Sequence, residues 1–579
     1  MRCLLIVVLL GACEGVIGNG PLDWTPPPVS VDDGEADFAC STDTPRDPPL
    51  RRLSRLQLEN TVGEVMIRLV GEGAALGVLG DLESALAATP QDQRLAHNTQ
   101  PGQKLFTRSD TSVGAVGVDA NYRLGVAIGA ALSTDARLQQ MGFECAVDAD
   151  VSNDDACIDQ IIERVGRLTH RRPLDAETRA FFRDEVYGEA APIERAALTD
   201  LLTVLFTQPY FLFHVEGEGE LDPYEAASRL SYQFWNSMPD EALMDAAETG
   251  ALMTSEGWSS QVERVVAHPR TRDTMRSFLL EWFRFDQMNR ASTGAGPDFD
   301  VIAGDLNLDW TFDQAVENEI VDLFMHTLRS GGTFEDFFLS EVTTTTHPVL
   351  ASIYGVQPST GEPVALPAER HSILTRVGLL LTRAEVALPN INSITHPILR
   401  GVFVRRQIVC DDLPEAPGGA MDNLPPIDRT RMGSREATDV LTGSPACGGC
   451  HGRINGAGYA LERFDPIGQL RDEEPLFDSD GNQTMVLAVN DRVDIREAPE
   501  GGLAGGAALA GALYNTGKVG ACFARHYVRF SLGRSESVTD DGCLLRAVDE
   551  GIDGNMPLRE LLSTVVLDPG FRVRAENAE

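Results

Sequence analysis

Cys447-Gly448-Gly449-Cys450-His451 sets two thiols and an imidazole at the spacing C-x-x-C-H. On a helical turn, residues three apart share a face. Cys447 and Cys450 can therefore reach the two vinyl groups of one porphyrin, while His451 offers a ring nitrogen to its iron. This is the attachment pattern of a covalent c-type haem (haem c). Other chemistries also use C-x-x-C. A zinc site wants a second ligand pair, and the sequence has no second C-x-x-C and no H-x-x-x-H. A thioredoxin-like motif wants a strand before it, whereas residues 413–426 are proline-rich. A plain Cys447–Cys450 disulfide stays open as an alternative.

If haem is held, the second axial ligand decides its chemistry: Met or His gives an electron carrier, and an open position allows peroxidase-type chemistry. Met485, His526, Met421, Met432 and Met556 are the residues weighed, and none is singled out. Arg471 could fork onto a haem propionate or simply sit in a turn. Asp148, Asp150, Ser152, Asp154 and Asp159 echo a calcium loop, but Asn153 stands where glycine is wanted and the last position is Asp. They are read as an acidic loop between Cys145 and Cys157, and residues 478–482 as a turn. No G-x-S-x-G, H-E-x-x-H or phosphate-binding glycine loop occurs.

Helices must position these groups, and the expected fold class is mainly α, with several helical modules and little β. Ser54-Arg55-Leu56-Gln57 is a capping box before apolar residues at helical spacing. Asp222-Pro223-Tyr224-Glu225 places an N-cap, a first-turn proline and an acid in order. Helices are expected over 121–141, 224–235, 398–409 and 434–441, the last leading into C-x-x-C-H, and over 521–532, with Gly533 as its stop. Residues 343–349 and 485–493 are the modest strand candidates.

Arg2, the apolar run Leu4–Leu10 and Leu10-Gly11-Ala12-Cys13 read as a lipoprotein signal, with cleavage before Cys13 and acylation of its thiol. The run is too short to span a bilayer. Glu14 follows Cys13, which favours the outer membrane. The expected localisation is therefore export with a lipid anchor, on the periplasmic or cell-surface face. Export permits disulfides. Apart from Cys3, Cys13 and the motif pair, six cysteines remain, enough for 15 connectivities. Nearness in sequence favours Cys145–Cys157 and Cys522–Cys543, which leaves Cys40–Cys410. The formal charge of −39, from 87 acids against 48 bases, argues against nucleic-acid partners and is read as a solubilising surface.

The order of motifs resembles the planctomycete-type cytochrome-c-associated exported proteins, a multi-domain set also common in myxobacteria. The resemblance rests on Leu50-Arg51-Arg52-Leu53-Ser54-Arg55, on Arg171-Arg172-Pro173-Leu174, and on Ala227-Ser228-Arg229-Leu230-Ser231-Tyr232-Gln233-Phe234-Trp235-Asn236. It continues through C-x-x-C-H with Gly458 to Gly468, and through Phe530-Ser531-Leu532-Gly533-Arg534. The chain then divides into a signal peptide (1–12), a flexible tether (13–49) and helical modules over 50–142, 143–215 and 216–350. A cytochrome-c-like module (366–472) and a C-terminal helical module (490–579) follow. The resemblance implies an exported protein with a c-type haem in its C-terminal third. Electron transfer or haem redox chemistry with an unknown envelope partner is the leading expectation. The alternatives are a non-redox envelope lipoprotein and a haem-dependent enzyme.

Overall fold

Capping side chains set the helix starts. Ser54 accepts the Gln57 N–H while Gln57 Oε1 accepts the Ser54 N–H, and the helix Arg55–Val70 begins there. Asp222 and Glu225 make the same reciprocal pair around Pro223 to start Pro223–Trp235. Lys518–Leu532 stops at Gly533, whose φ of 64° is left-handed. The computed structural model describes residues 38, 40, 51–97, 103–188, 192–385, 394–414, 424–478 and 480–574. Within these the chain is mainly α-helical, and its strands form short antiparallel pairs. Among the described residues, no helix is long and apolar enough to cross a membrane.

Several elements differ from the expected ones for local reasons. The single helix expected over 121–141 is two, Ala115–Leu132 and Asp135–Gln140, because the Thr134 hydroxyl caps a fresh start. The strand candidate at 343–349 shrinks to Val342–Thr343, since Pro348 opens the helix Pro348–Ile353. The helix expected over 398–409 is Pro397–Phe403 followed by a π-helical turn, Val404–Ile408.

Two apolar cores form. One is built on Arg55–Val70, Ala115–Leu132, Asp154–His170 and Arg195–Thr207. The larger runs from Leu221 to Phe571. At its centre the Phe278 ring lies within 6.0 Å of Trp282, on which it stacks, and of Phe523, Tyr527 and Phe530, which meet it tilted or edge-on.

Within the larger core, the helix that carries C-x-x-C-H, Pro445–Tyr459, crosses Pro397–Phe403 at very close range. A Cβ on Gly401 would overlap the Ile454 carbonyl, and one on Gly458 would overlap the Pro397 carbonyl. Beneath the crossing, the fully buried Arg400 donates to the carbonyls of Leu461 at 2.8 Å, Phe464 at 2.9 Å and Asp465 at 3.2 Å. It also donates to Glu462 Oε1 at 3.0 Å. These carbonyls belong to the turns that follow the motif helix, so this one guanidinium ties down the chain just after the helix ends. A second buried network, Arg376 with Glu319 and Tyr354, links residues 319–354 to Val377.

The bridges observed are Cys145–Cys157, Cys410–Cys522 and Cys40–Cys543. The first agrees with nearness in sequence. The expected Cys522–Cys543 and Cys40–Cys410 pairs exchange partners. The buried Cys522 lies on Lys518–Leu532 beside the π-helical turn, its sulfur 3.5 Å from the Gln407 carbonyl, which brings Cys410 to it. Cys40 and Phe38 fall within the expected tether, yet Phe38 is 4% exposed in the larger core and its carbonyl accepts from Arg546. Cys13 and the expected signal lie outside the described residues.

Two outcomes follow. Peptide mapping without reduction yields cross-linked peptides joining Cys40 to Cys543 and Cys410 to Cys522; a Cys522–Cys543 peptide would contradict this packing. Gly458→Val forces a methyl-bearing side chain onto backbone and lowers stability by about 3 kcal/mol or more in denaturant titration. Gly63→Ala, in open space on Arg55–Val70, is neutral or raises stability by up to about 1 kcal/mol.

Candidate haem-attachment site

Ser444 caps the motif helix, its hydroxyl accepting from the Cys447 N–H at 3.4 Å, with Pro445 in the first turn. Cys447 is half-buried, Cys450 is exposed, and both are free thiols. The remaining described cysteines are all in bridges. Their sulfurs are not bonded to each other, whereas the other described cysteines are paired. Gly448, Gly449 and Gly452 face open space, with no atom within 4 Å of where a Cβ would stand. These glycines lie on the side of the helix opposite the thiols, which is left bare of side chains.

His451 is held by a relay that fixes its protonation. The Thr442 hydroxyl donates to the Thr438 carbonyl at 2.7 Å, so its oxygen is left to accept from Asn455 Nδ2 at 2.8 Å. That orients Asn455 Oδ1, an acceptor only, toward His451 Nδ1 at 3.1 Å. Nδ1 must then carry the ring proton, and Nε2 keeps its lone pair. Metal-binding histidines are typically oriented in this way, the second nitrogen donating to an outer acceptor.

A cavity of about 320 Å³ adjoins His451, with Thr442, Asn455, Tyr459, Arg435 and Val493 among its walls. The Tyr459 hydroxyl donates to Asp439 Oδ1 at 2.6 Å. Burial, then the hydrogen bond to Asp439, keep that phenol protonated by raising it well above its ordinary range. The Arg435 guanidinium lies 4.5 Å over the Tyr459 ring and donates to the carbonyls of Asn490 and Arg492. The cavity is lined by His451 and Arg435 but by neither cysteine; Cys447 and Cys450 stand on an adjoining face of the same helix. Two unbridged thiols, an imidazole with Nε2 available and one guanidinium are donor types that fit a c-type haem. Those residues could hold its vinyl carbons, its iron and a propionate.

Arg471 does not reach this cavity. It donates to the Glu462 carbonyl at 3.0 Å and to Glu462 Oε2 at 3.2 Å, so it braces the turn after the helix. Arg435 is the guanidinium that sequence reasoning missed. Among the described residues, neither a Met nor a second His lines the cavity. Met485 stands 42% exposed on the strand Gln483–Ala488. Met432 lines a separate cavity with Arg471, and Met556 packs near Gly551 and Thr564. His526 is buried beside the Cys410–Cys522 bridge. Met421 lies outside the described residues. The acidic residues 148–152 make local turns, Asp148 accepting from the Asp150 N–H and Asp150 from the Ser152 N–H. Asp478 likewise accepts from the Asp480 and Asn482 N–H groups, as a turn does. Asn455 had one legible signal, its place four residues after His451 on the same helical face. Thr442 and Arg435 arrive from another helix and had none.

Residues 221–356 match the family model PSD4, described as a protein of unknown function (DUF1592). Residues 376–474, which include C-x-x-C-H, match PSCyt3, also a protein of unknown function (DUF1588). No curated protein and no solved structure matches the chain. Through these two domains, which cover less than half of its length, the chain is similar to the planctomycete cytochrome-c-associated proteins.

Proposed function

We propose that this chain is an exported lipoprotein that holds one covalent haem c through Cys447, Cys450 and His451. Its role is electron transfer or haem redox chemistry in the cell envelope, with an envelope protein as partner. The observation that carries the reading is the Thr442–Asn455–His451 relay, which faces Nδ1 with an acceptor and leaves Nε2 as the ring nitrogen open to a ligand, on the helix that carries the two unbridged cysteines. When bound, a c-type haem supplies one-electron exchange, or small-ligand chemistry where its second axial position is open. The protein's own contribution is orientation. Asn455 holds the imidazole plane, Arg435 offers a cation at the cavity wall, and Arg400 fixes the far end of the helix.

Export is supported by the three bridges, since disulfides persist in oxidising compartments. Cys13 then supplies the anchor, and Glu14 after it, where an inner-membrane retention signal would carry Asp, favours the outer membrane.

Co-expression with haem-attachment machinery gives an exported protein that keeps its haem in denaturing gels and shows a c-type absorption spectrum. Cys447→Ala with Cys450→Ala removes both. A colourless wild-type protein with a Cys447–Cys450 disulfide sinks the reading. Asn455→Leu keeps the thioether bonds but shifts the absorption spectrum, because the imidazole loses the acceptor that orients it. Labelled palmitate is incorporated into the wild type and not into Cys13→Ala; equal labelling of both rules out Cys13 as the anchor.

A further inference from the structure

Far from the C-x-x-C-H helix in sequence, a second cavity of about 370 Å³ lies where the N-terminal strand, the helix Pro223–Trp235 and the C-terminal helices meet. Arg51 and His214 enter it as direct partners in the antiparallel pair Arg51–Arg52 with Phe213–His214. Arg108 forms another wall, its guanidinium 4.3 Å over the Phe530 ring. Leu544, Val565 and Phe571 make the rest of it apolar. Gly533 lets these parts converge: a Cβ there would stand 3.4 Å from Arg51 Nη1 and 3.6 Å from the Arg108 carbonyl.

Not every charged group around this cavity has an opposite partner at hand. Arg52 is neutralised by Asp92 at 2.7 Å and Asp110 at 3.1 Å. Arg229 grips both oxygens of Glu216 at 2.9 and 2.6 Å. Burial would raise the Glu216 carboxyl, yet the Arg229 fork outweighs it and holds it at about 2. Asp541 is taken by Arg534. Asp568, which accepts from the Gly570 N–H, and Asp540 keep their charges at the cavity wall. Two guanidiniums also remain. Arg51 reaches Glu216 only at 4.0 Å and otherwise donates to the Leu532 carbonyl at 3.3 Å. Arg108 donates to the Tyr232 carbonyl at 3.2 Å, but its Nη1 is shut off from solvent with no acceptor among the described residues. Burial, with Arg51 beside it, lowers the Arg108 guanidinium to about 9, so it stays charged at neutral pH. His214 adds no third charge. Its Nε2 stands 3.2 Å from Gln57 Oε1, which can only accept, and burial followed by Arg51 disfavours a second proton.

We propose that this cavity binds a small monoanionic carboxylate with an apolar body, its carboxylate taken by Arg51 and Arg108 and its body by Leu544, Val565 and Phe571. Guanidinium forks match planar carboxylates, and Leu544, Val565 and Phe571 give this otherwise polar cavity an apolar wall for the ligand body. Asp540, exposed at the rim, and Asp568 repel a dianion more strongly than a monoanion, which sets benzoate-like ligands above sulfate.

Benzoate and sulfate, each up to about 10 mM at constant ionic strength, test this on the purified full-length chain by calorimetry and thermal melting. Benzoate is expected to bind one to one and raise the melting temperature, sulfate to do neither. Arg108→Gln and Arg51→Gln each weaken benzoate at least tenfold, and Arg108→Lys weakens it less, since it keeps the charge without the fork. Arg51→Gln loses only one carbonyl contact and a 4.0 Å ion pair, so it gives the reading even if Arg108→Gln does not fold. No benzoate binding overturns the proposal. So does equal binding of sulfate, or full benzoate affinity in either Gln variant.

Discussion

Two backbones cross without side chains between them at Gly401 and Gly458, and the geometry of the motif region depends on that contact. Such an approach brings helix dipoles and carbonyls together and removes space for anything but hydrogen. It is braced by Arg400, which gathers three carbonyls of the turns that follow the motif helix. The motif helix is thereby fixed at its C-terminal end. Its N-terminal turns, with both thiols and three bare glycines, project away from that fixed base. A rigid root and an uncluttered tip suit a segment that must be reached by another protein before its own surroundings close.

Arg400 is one case of a wider arrangement. Arg370, Arg376, Arg400 and Arg529 are among the largest fully buried side chains of the protein. Each spans several acceptors; Arg370 alone donates to the carbonyls of Ile353, Thr375 and Gly468. A lysine ammonium has three donors in a compact cone, whereas a guanidinium has five in a plane. This is a physical reason for a chain with only two lysines, Lys104 and Lys518. Positive charge serves as internal cross-bracing of irregular backbone, and the excess acid is left for the surface. The charge of −39 and the preference for arginine are two sides of one division of labour.

Much of the fold was legible where the controlling interaction is local. The boxes at Ser54 and Asp222 and the stop at Gly533 each depend on residues within four positions, and each operates as read. C-x-x-C-H was legible for the same reason, since a single helical turn sets its spacing. What failed is what distance in space decides. Nearness in sequence paired Cys522 with Cys543, but the π-helical turn at 404–408 delivers Cys410 to Cys522 first. Arg471 follows the motif in sequence, yet Glu462 claims it, and Arg435 comes to the cavity from the preceding helix. The Arg51–Arg108 pair was invisible because its members are 57 positions apart and meet only after both ends of the chain are packed.

The Cys40–Cys543 bridge spans 503 positions, nearly the whole chain. A polypeptide made from its N-terminus presents Cys40 long before Cys543 exists to meet it. In that interval Cys145, Cys157, Cys410, Cys447, Cys450 and Cys522 appear in turn, each a competing partner. The bridge therefore acts as a timekeeper. It closes only on a chain finished as far as its last helices, and a product truncated before residue 543 is left with an open thiol at Cys40.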